Sequence, residues 1–168
     1  MSKKLLLILL SIFLLSSCSN KESVIENPEG SEEEVALIVY SEAVEALKQG
    51  DSYFASQKFK EVESLAPKSD WAAKAALMSA YADYSRNSYS SSVFGLKRYI
   101  KNYPADNNIP YAQYLIGICY YEQILNEKKD LEPLLKAKEQ FEFVIDNYPN
   151  TDYSTDALFK IDLIIDQL

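Results

Sequence analysis

One short phrase recurs three times along the chain and limits its possible folds more than any other feature. In each copy a helical pattern runs into a proline, and a new apolar segment starts a few residues later. The copies are Leu65-Ala66-Pro67, Asn102-Tyr103-Pro104 and Asn147-Tyr148-Pro149. The first two prolines are 37 residues apart and the last two are 45 apart, so an insertion of eight residues around the polar run 126–130 restores the period. A period in the mid-thirties predicts a helical repeat.

Small and large residues recur in step with these prolines. Small residues fall in pairs where two helices would approach closely, and one large residue follows in each unit; the pairs are Ala43 and Ala55, Ala80 and Ser92, and Gly117 and Ala137, and the large residues are Phe59, Leu96 and Phe141. This pattern is typical of tetratricopeptide (TPR) units. It predicts an all-α solenoid of TPR-type helical hairpins with three units plus one terminal helix. A plain antiparallel helix bundle is the alternative, but it requires no such register.

The helices predicted from this register, with Gly50-Asp51 as the turn inside the first unit, span 35–49, 52–65, 70–86, 89–102, 110–125, 131–147 and 152–167. The fifth is apolar on more than one side, as expected of an inner helix. It is too short to cross a bilayer. We expect its Cys119 to pack in the core. The seventh helix would leave apolar residues exposed.

The first residues are typical of a bacterial lipoprotein. Lys3 and Lys4 precede an apolar stretch of eleven residues, which is too short for a transmembrane helix. The stretch ends in Leu15-Ser16-Ser17-Cys18, which resembles a lipobox and implies lipidation of Cys18 and cleavage before it. The alternative is an ordinary signal peptide with a chance cysteine. We predict a lipoprotein signal peptide at 1–17, the lipidated Cys18 and a flexible acidic tether at 18–34, and a TPR-like domain at 35–168.

Composition excludes several classes of function. The chain contains no histidine, which removes the commonest general base and metal ligand. Without the leader it would carry 15 basic and 25 acidic residues, so it is a poor ligand for nucleic acid. We expect no catalytic or metal-binding residues, no small-molecule substrate, and no cofactor apart from the covalent lipid on Cys18.

The first helix of each predicted unit lines the concave face in a TPR solenoid. The positions that would point into this groove are Tyr40, Val44 and Leu47; Leu77, Tyr81 and Tyr84; and Tyr114, Ile118 and Tyr121. Five of these nine are tyrosines, whose large, rigid rings with a polar end suit peptide recognition. The alternative is that the rings pack between helices. We therefore predict a groove for an extended or partly folded polypeptide.

Residues 35–168 resemble the BamD family, the TPR lipoproteins of the machinery that inserts β-barrels into the bacterial outer membrane. The resemblance is carried by 108–117, by 148–157 and by Leu47-Lys48-Gln49-Gly50-Asp51, in the same order behind a lipobox. It implies a lipid-anchored scaffold or receptor at the outer membrane that faces the periplasm; Ser19 after Cys18 agrees with that location. It also implies a BamA-like barrel subunit, other assembly subunits and unfolded outer-membrane protein precursors as partners.

Family members are expected to continue for about two more units beyond the position of Leu168. Because those units carry much of the contact with BamA in the family, this contact is the least supported expectation. A TPR lipoprotein that regulates or localises a cell-wall enzyme is the alternative function.

Overall fold

The computed structural model describes residues 31–124 and 131–166. The described residues form seven α-helices and no strand. In chain order they are α1 (Glu32–Lys48), α2 (Ser52–Leu65), α3 (Asp70–Ser85), α4 (Tyr89–Asn102), α5 (Ile109–Ile124), α6 (Glu132–Asn147) and α7 (Asp152–Ile165). The predicted leader, Cys18 and most of the predicted tether lie outside the described residues.

The helix boundaries agree with the prediction to within three residues at every described end. The largest difference is α1, which was predicted to begin at residue 35 and begins at Glu32. Ser31 explains it with a capping box. Its hydroxyl accepts from the Glu34 N–H at 3.3 Å, and its own N–H donates to the Glu34 carboxylate at 2.8 Å. The acidic residues 32–34 therefore belong to the helix and complement the positive end of its dipole.

Successive helices pack side by side as antiparallel hairpins, one hairpin after another in chain order. Each helix packs against the next in the chain, and α1 also contacts α3, as α5 contacts α7. We call α1, α3, α5 and α7 the first helices, and α2, α4 and α6 the second helices. Gly50 makes the turn inside the first unit with a φ of 84°, a conformation that favours glycine, and Asp51 then caps α2. This is the predicted all-α, TPR-like arrangement.

The predicted register of small and large residues is present in the core. The six small residues are buried, and the three large ones, Phe59, Leu96 and Phe141, are completely buried. The closest approach is at Gly117, where an added Cβ would lie 2.6 Å from Phe141 Cε1. The large side chain of α6 therefore occupies the volume that the missing side chain of α5 leaves free.

Two hydrophobic clusters share α3. One joins α1, α2 and α3 around Phe59, and the other runs from α3 to α7 around Leu96, Cys119 and Phe141. Cys119 is a free, fully buried residue, as predicted from the sequence. Since α3 contributes residues to both clusters, the core is continuous from one unit to the next.

The terminal helix leaves one apolar face open. Leu158, Phe159 and Ile165 are exposed, as is Asp162 between them. The equivalent positions on α3, counted from the preceding proline, are buried: Ala76, Leu77, Ala80 and Asp83. The exposed apolar surface predicted for this helix is therefore present, on the face that α3 packs into the core. Among the described helices, none is both long and apolar enough to cross a membrane.

Candidate functional site

The nine predicted groove residues lie on α1, α3 and α5, three on each helix. Leu77 and Ile118 are buried in the core, so they pack beneath the predicted groove and are not available to contact a ligand. The other seven are partly buried: Tyr40, Val44, Leu47, Tyr81, Tyr84, Tyr114 and Tyr121. The three on α1 pack against the cluster around Phe59, whereas those on α3 and α5 belong to the second cluster.

Tyr40 has mainly a packing role. Its ring lies 5.3 Å from that of Phe59 on α2 and 5.0 Å from that of Trp71 on α3, measured between centroids. Burial raises the pKa of its hydroxyl. These contacts pack α1 against α2 and against the start of α3. They favour the alternative in which the Tyr40 ring packs between helices.

Six tyrosines of the second cluster form two groups of contacting rings, which together we call the tyrosine band: Tyr81, Tyr84 and Tyr89 in one group, and Tyr111, Tyr114 and Tyr153 in the other. The rings of Tyr81 and Tyr84 are 6.1 Å apart, and those of Tyr84 and Tyr89 are 6.0 Å apart. Tyr153 of α7 lies 5.6 Å from Tyr111 and 5.5 Å from Tyr114. All six are partly exposed, so each ring can contact both the core and a ligand.

The hydroxyl groups of Tyr111 and Tyr114 remain protonated in neutral solution. Burial raises the pKa of Tyr111, and the neighbouring Tyr81, Tyr153 and Tyr84 raise it further. Burial also raises the pKa of Tyr114, and so does the Asp156 carboxylate, which accepts a hydrogen bond from its hydroxyl. The Tyr111 phenol therefore offers a hydrogen-bond donor beside an apolar ring face, whereas the Tyr114 phenol already donates to Asp156.

A cation lies beside this surface at Tyr121. Lys160 Nζ of α7 is 5.2 Å from the centroid of the Tyr121 ring. The pair therefore combines an aromatic face with a positive charge. Such a pair fits a ligand in which a carboxylate stands next to an aromatic ring.

The prediction from sequence missed Tyr89, Tyr111 and Tyr153. Two of them had a signal in the sequence. Tyr111 precedes Tyr114 by three residues and so lies near the same face of α5. Tyr153 stands four residues after Pro149, as Trp71 stands four residues after Pro67. Tyr89 had no such signal. It is the first residue of α4, a second helix, and its ring contacts Tyr84 only because the turn between α3 and α4 is short.

The described part of the chain offers no group of three His, Cys, Asp or Glu residues that could hold a metal ion. Burial raises the pKa of the Cys119 thiol to about 11, although its hydrogen bond to Ser92 lowers it slightly. A protonated, enclosed thiol is a poor nucleophile.

Comparison with known protein families identifies the relatives of this chain. Residues 32–168 match the YfiO family model, which describes an outer membrane lipoprotein. The outer membrane protein assembly factor BamD of Caulobacter vibrioides is 38% identical over 137 residues, which cover 82% of this chain and 45% of that protein. BamD of Rickettsia prowazekii is 33% identical, and the match covers 98% of this chain and 64% of that protein. The chain thus spans less than two thirds of the length of either relative.

Among solved structures, the C-terminal TPR-containing domain of a Plasmodium falciparum FK506-binding protein is similar, with a TM-score of 0.56 and 17% sequence identity. The match covers 81% of this chain and 89% of that domain. At this identity the likeness concerns the fold alone, and it agrees with a TPR-type solenoid.

Proposed function

The chain belongs to the YfiO family of outer membrane lipoproteins, which includes the BamD assembly factors, and we propose from this that it is a scaffold and receptor in outer-membrane β-barrel assembly. In this role it binds segments of unfolded outer-membrane protein precursors and holds other assembly subunits near them. A BamA-like barrel subunit is one of the subunits expected there. The role is one of binding and requires no catalytic group.

The tyrosine band is the observation that carries this proposal. It comprises partly exposed rings from α3, α4, α5 and α7, arranged in two groups of contacting rings. Aromatic side chains lose little conformational entropy on binding and contribute large contact areas. Such a surface can hold many different segments. Its ring faces contact apolar side chains of any kind, and its hydroxyl groups contact the peptide backbone, so no single sequence is required.

The best candidate ligand is the C-terminal strand of a precursor that ends in an aromatic residue. Such a strand carries its terminal carboxylate beside its last ring. Tyr121 and Lys160 offer a matching aromatic face and positive charge, and the phenols of Tyr84 and Tyr111 can donate to the peptide backbone. The ligand therefore binds with its C-terminus toward Lys160.

Anchoring to the outer membrane through lipidated Cys18 belongs to the same proposal. Several acyl chains on one cysteine give a stable anchor at about 0.8 kcal/mol for each buried CH₂. Metabolic labelling with palmitate tests this. The wild-type chain should incorporate label and a Cys18→Ala chain should not; equal incorporation by both would reject the lipid anchor.

Site-specific crosslinking in cells tests the receptor role. A photoreactive residue at Tyr81 or Tyr114 should capture outer-membrane protein precursors, whereas the same residue at the exposed Glu139 of α6 should not. Equal capture from all three positions would contradict binding at the tyrosine band. Recovery of peptidoglycan synthases or hydrolases in place of assembly subunits would instead favour the cell-wall role.

A further inference from the structure

A cavity that shares no residue with the tyrosine band lies elsewhere on the described helices. It has a volume of about 560 Å³ and is formed between the second helices α2 and α4, with α3 as its floor. We call it the α2–α4 cleft. Ala76 of α3 and Gly95 of α4 line its apolar part, and Phe94 stands at its edge. A space of this size suits one or two side chains of a ligand.

One repeat further along the chain, at the next junction, larger polar side chains stand at the corresponding positions of α5 and α6. The position of Ala76 is taken there by Gln113, and the position of Gly95 by Gln140. Gln140 Nε2 donates to Gln113 Oε1 at 2.8 Å and to the Gln113 carbonyl at 3.2 Å, which bridges α5 and α6. At the α2–α4 cleft, Ala76 and Gly95 stand at these two positions, and neither has side-chain atoms that could form such a bridge.

Packing explains only part of this replacement. An added Cβ at Gly95 would lie 3.0 Å from Ala80 Cβ, so the close approach of α3 and α4 favours glycine there. Nothing in this contact requires a small residue at Ala76. The position of Asp83 is also distinctive, because Tyr120 stands at the corresponding position of the next junction. There the hydroxyl of Tyr120 accepts a hydrogen bond from Lys97 Nζ at 3.3 Å.

Two cations and two carboxylates line the cleft, and the cations are the more exposed of these charges. Its two carboxylates, those of Asp83 and Glu63, have side chains only 6% and 13% exposed. Arg98 donates two hydrogen bonds to Glu63, at 2.9 and 2.6 Å, and Lys60 Nζ lies 3.9 Å from Asp83. Both cations keep more than a third of their side-chain surface in solvent. The buried carboxylates therefore orient cations that a ligand can reach.

Apolar surface adjoins these cations. Phe94 is 72% exposed, and its counterpart at the next junction is Glu139. A single exposed aromatic side chain is common on protein surfaces. Here, however, the ring stands beside an apolar space and two oriented cations, which is the combination that a binding site requires.

We propose that the α2–α4 cleft binds an extended segment of another polypeptide in which a carboxylate stands next to an aromatic or large aliphatic side chain. The apolar side chain enters the space above Ala76 and Gly95 and packs on Phe94. The carboxylate pairs with Lys60 or Arg98. No residue that lines this site belongs to the tyrosine band, so the proposal does not depend on the role proposed for the band.

Fluorescence anisotropy with two short dye-labelled peptides tests this inference on the purified full chain. One peptide is Ser-Glu-Phe-Glu-Leu-Ser, and the other replaces both glutamates with lysine. The glutamate peptide should bind saturably and about tenfold more tightly than the lysine peptide, with an affinity that falls as salt is added. Absence of saturable binding, or equal binding of both peptides, would overturn the proposal.

Three variants locate the binding site. Phe94→Ala removes the exposed ring, and Ser91→Trp fills the cleft from its wall. Each should weaken binding of the glutamate peptide by about tenfold. Phe94→Ala removes an aromatic contact, and aromatic contacts often dominate such interfaces. Ser91→Trp occupies the space that the apolar side chain of the peptide would enter. Phe143→Ala removes an exposed ring of α6 and should leave the affinity unchanged. Since Phe94 and Phe143 are both exposed, thermal unfolding should be nearly the same for these two alanine variants. Unchanged binding by both cleft variants would place the peptide elsewhere and reject the site.

Discussion

Replacement of Gly117 by alanine tests the packing of the third unit at its tightest point. Gly117 lies inside α5, where alanine is favoured over glycine by about 0.5–1 kcal/mol. Its new Cβ, however, would lie 2.6, 2.8 and 3.2 Å from three ring atoms of Phe141. Phe141 is fully buried and also packs against Tyr114, at 6.0 Å between ring centroids, so its ring has little room to move.

Overpacking of this kind destabilises a core by about 1–3 kcal/mol. After the gain in helix propensity is subtracted, we expect Gly117→Ala to lower the free energy of unfolding by about 1 kcal/mol and by at most about 2.5 kcal/mol. Urea denaturation followed by circular dichroism measures this directly. The slope of the transition should stay constant while its midpoint falls.

A double-mutant cycle with Phe141→Leu separates the clash from other effects. Leucine withdraws the ring atoms that meet the new Cβ, so Gly117→Ala should become neutral or stabilising in that background. The same loss of stability in both backgrounds, or a gain in the wild-type background, would refute the assignment of the clash to Phe141.

Three other predictions concern the contacts between units. Glu63→Gln should lower the free energy of unfolding by about 1–2 kcal/mol, because the carboxylate accepts two bonds from Arg98 and one from Tyr103; absence of coupling in a cycle with Arg98→Gln would contradict a direct bridge. Burial and the Glu63 carboxylate raise the pKa of Tyr103 to about 12, so its contribution to folding is complete below the unfolded value of about 10 and is lost as pH rises toward 12. Urea midpoints should fall across that interval, and less steeply for Tyr103→Phe; equal slopes would exclude Tyr103 as a cause. In a Cys18→Ser chain, a thiol reagent should modify Cys119 only after unfolding, whereas rapid labelling of the native protein would show that this thiol is accessible.

The local elements were predictable because their signals are local. Prolines and small residues marked the helix ends and the register, and the described ends agree with the prediction to within three residues. The early start of α1 also had a signal, since Ser31 and Glu34 have the spacing of a capping box. The acidic residues between them looked equally like part of a tether, and only the hydrogen bonds of the cap decide between the two.

The binding surfaces were harder to predict because they depend on several helices at once. Tyr40 holds the groove position in its repeat, yet Trp71 from the next unit covers part of its ring. Tyr153 joins the tyrosine band because α7 packs beside α5. The α2–α4 cleft results from side chains that are small, and a pattern search for large or charged residues passes over them.

The most direct test of the central claim is a titration of the full chain with a labelled peptide that has the alternating pattern of a β-strand and ends in phenylalanine with a free carboxylate. We predict saturable binding that weakens by about tenfold in Tyr84→Ala, because this change removes a ring from the middle of the tyrosine band. Tyr53→Ala, which removes a ring that is 62% exposed on α2, should leave the affinity unchanged. Equal affinity for the wild-type chain and both variants would contradict recognition of precursors by the tyrosine band.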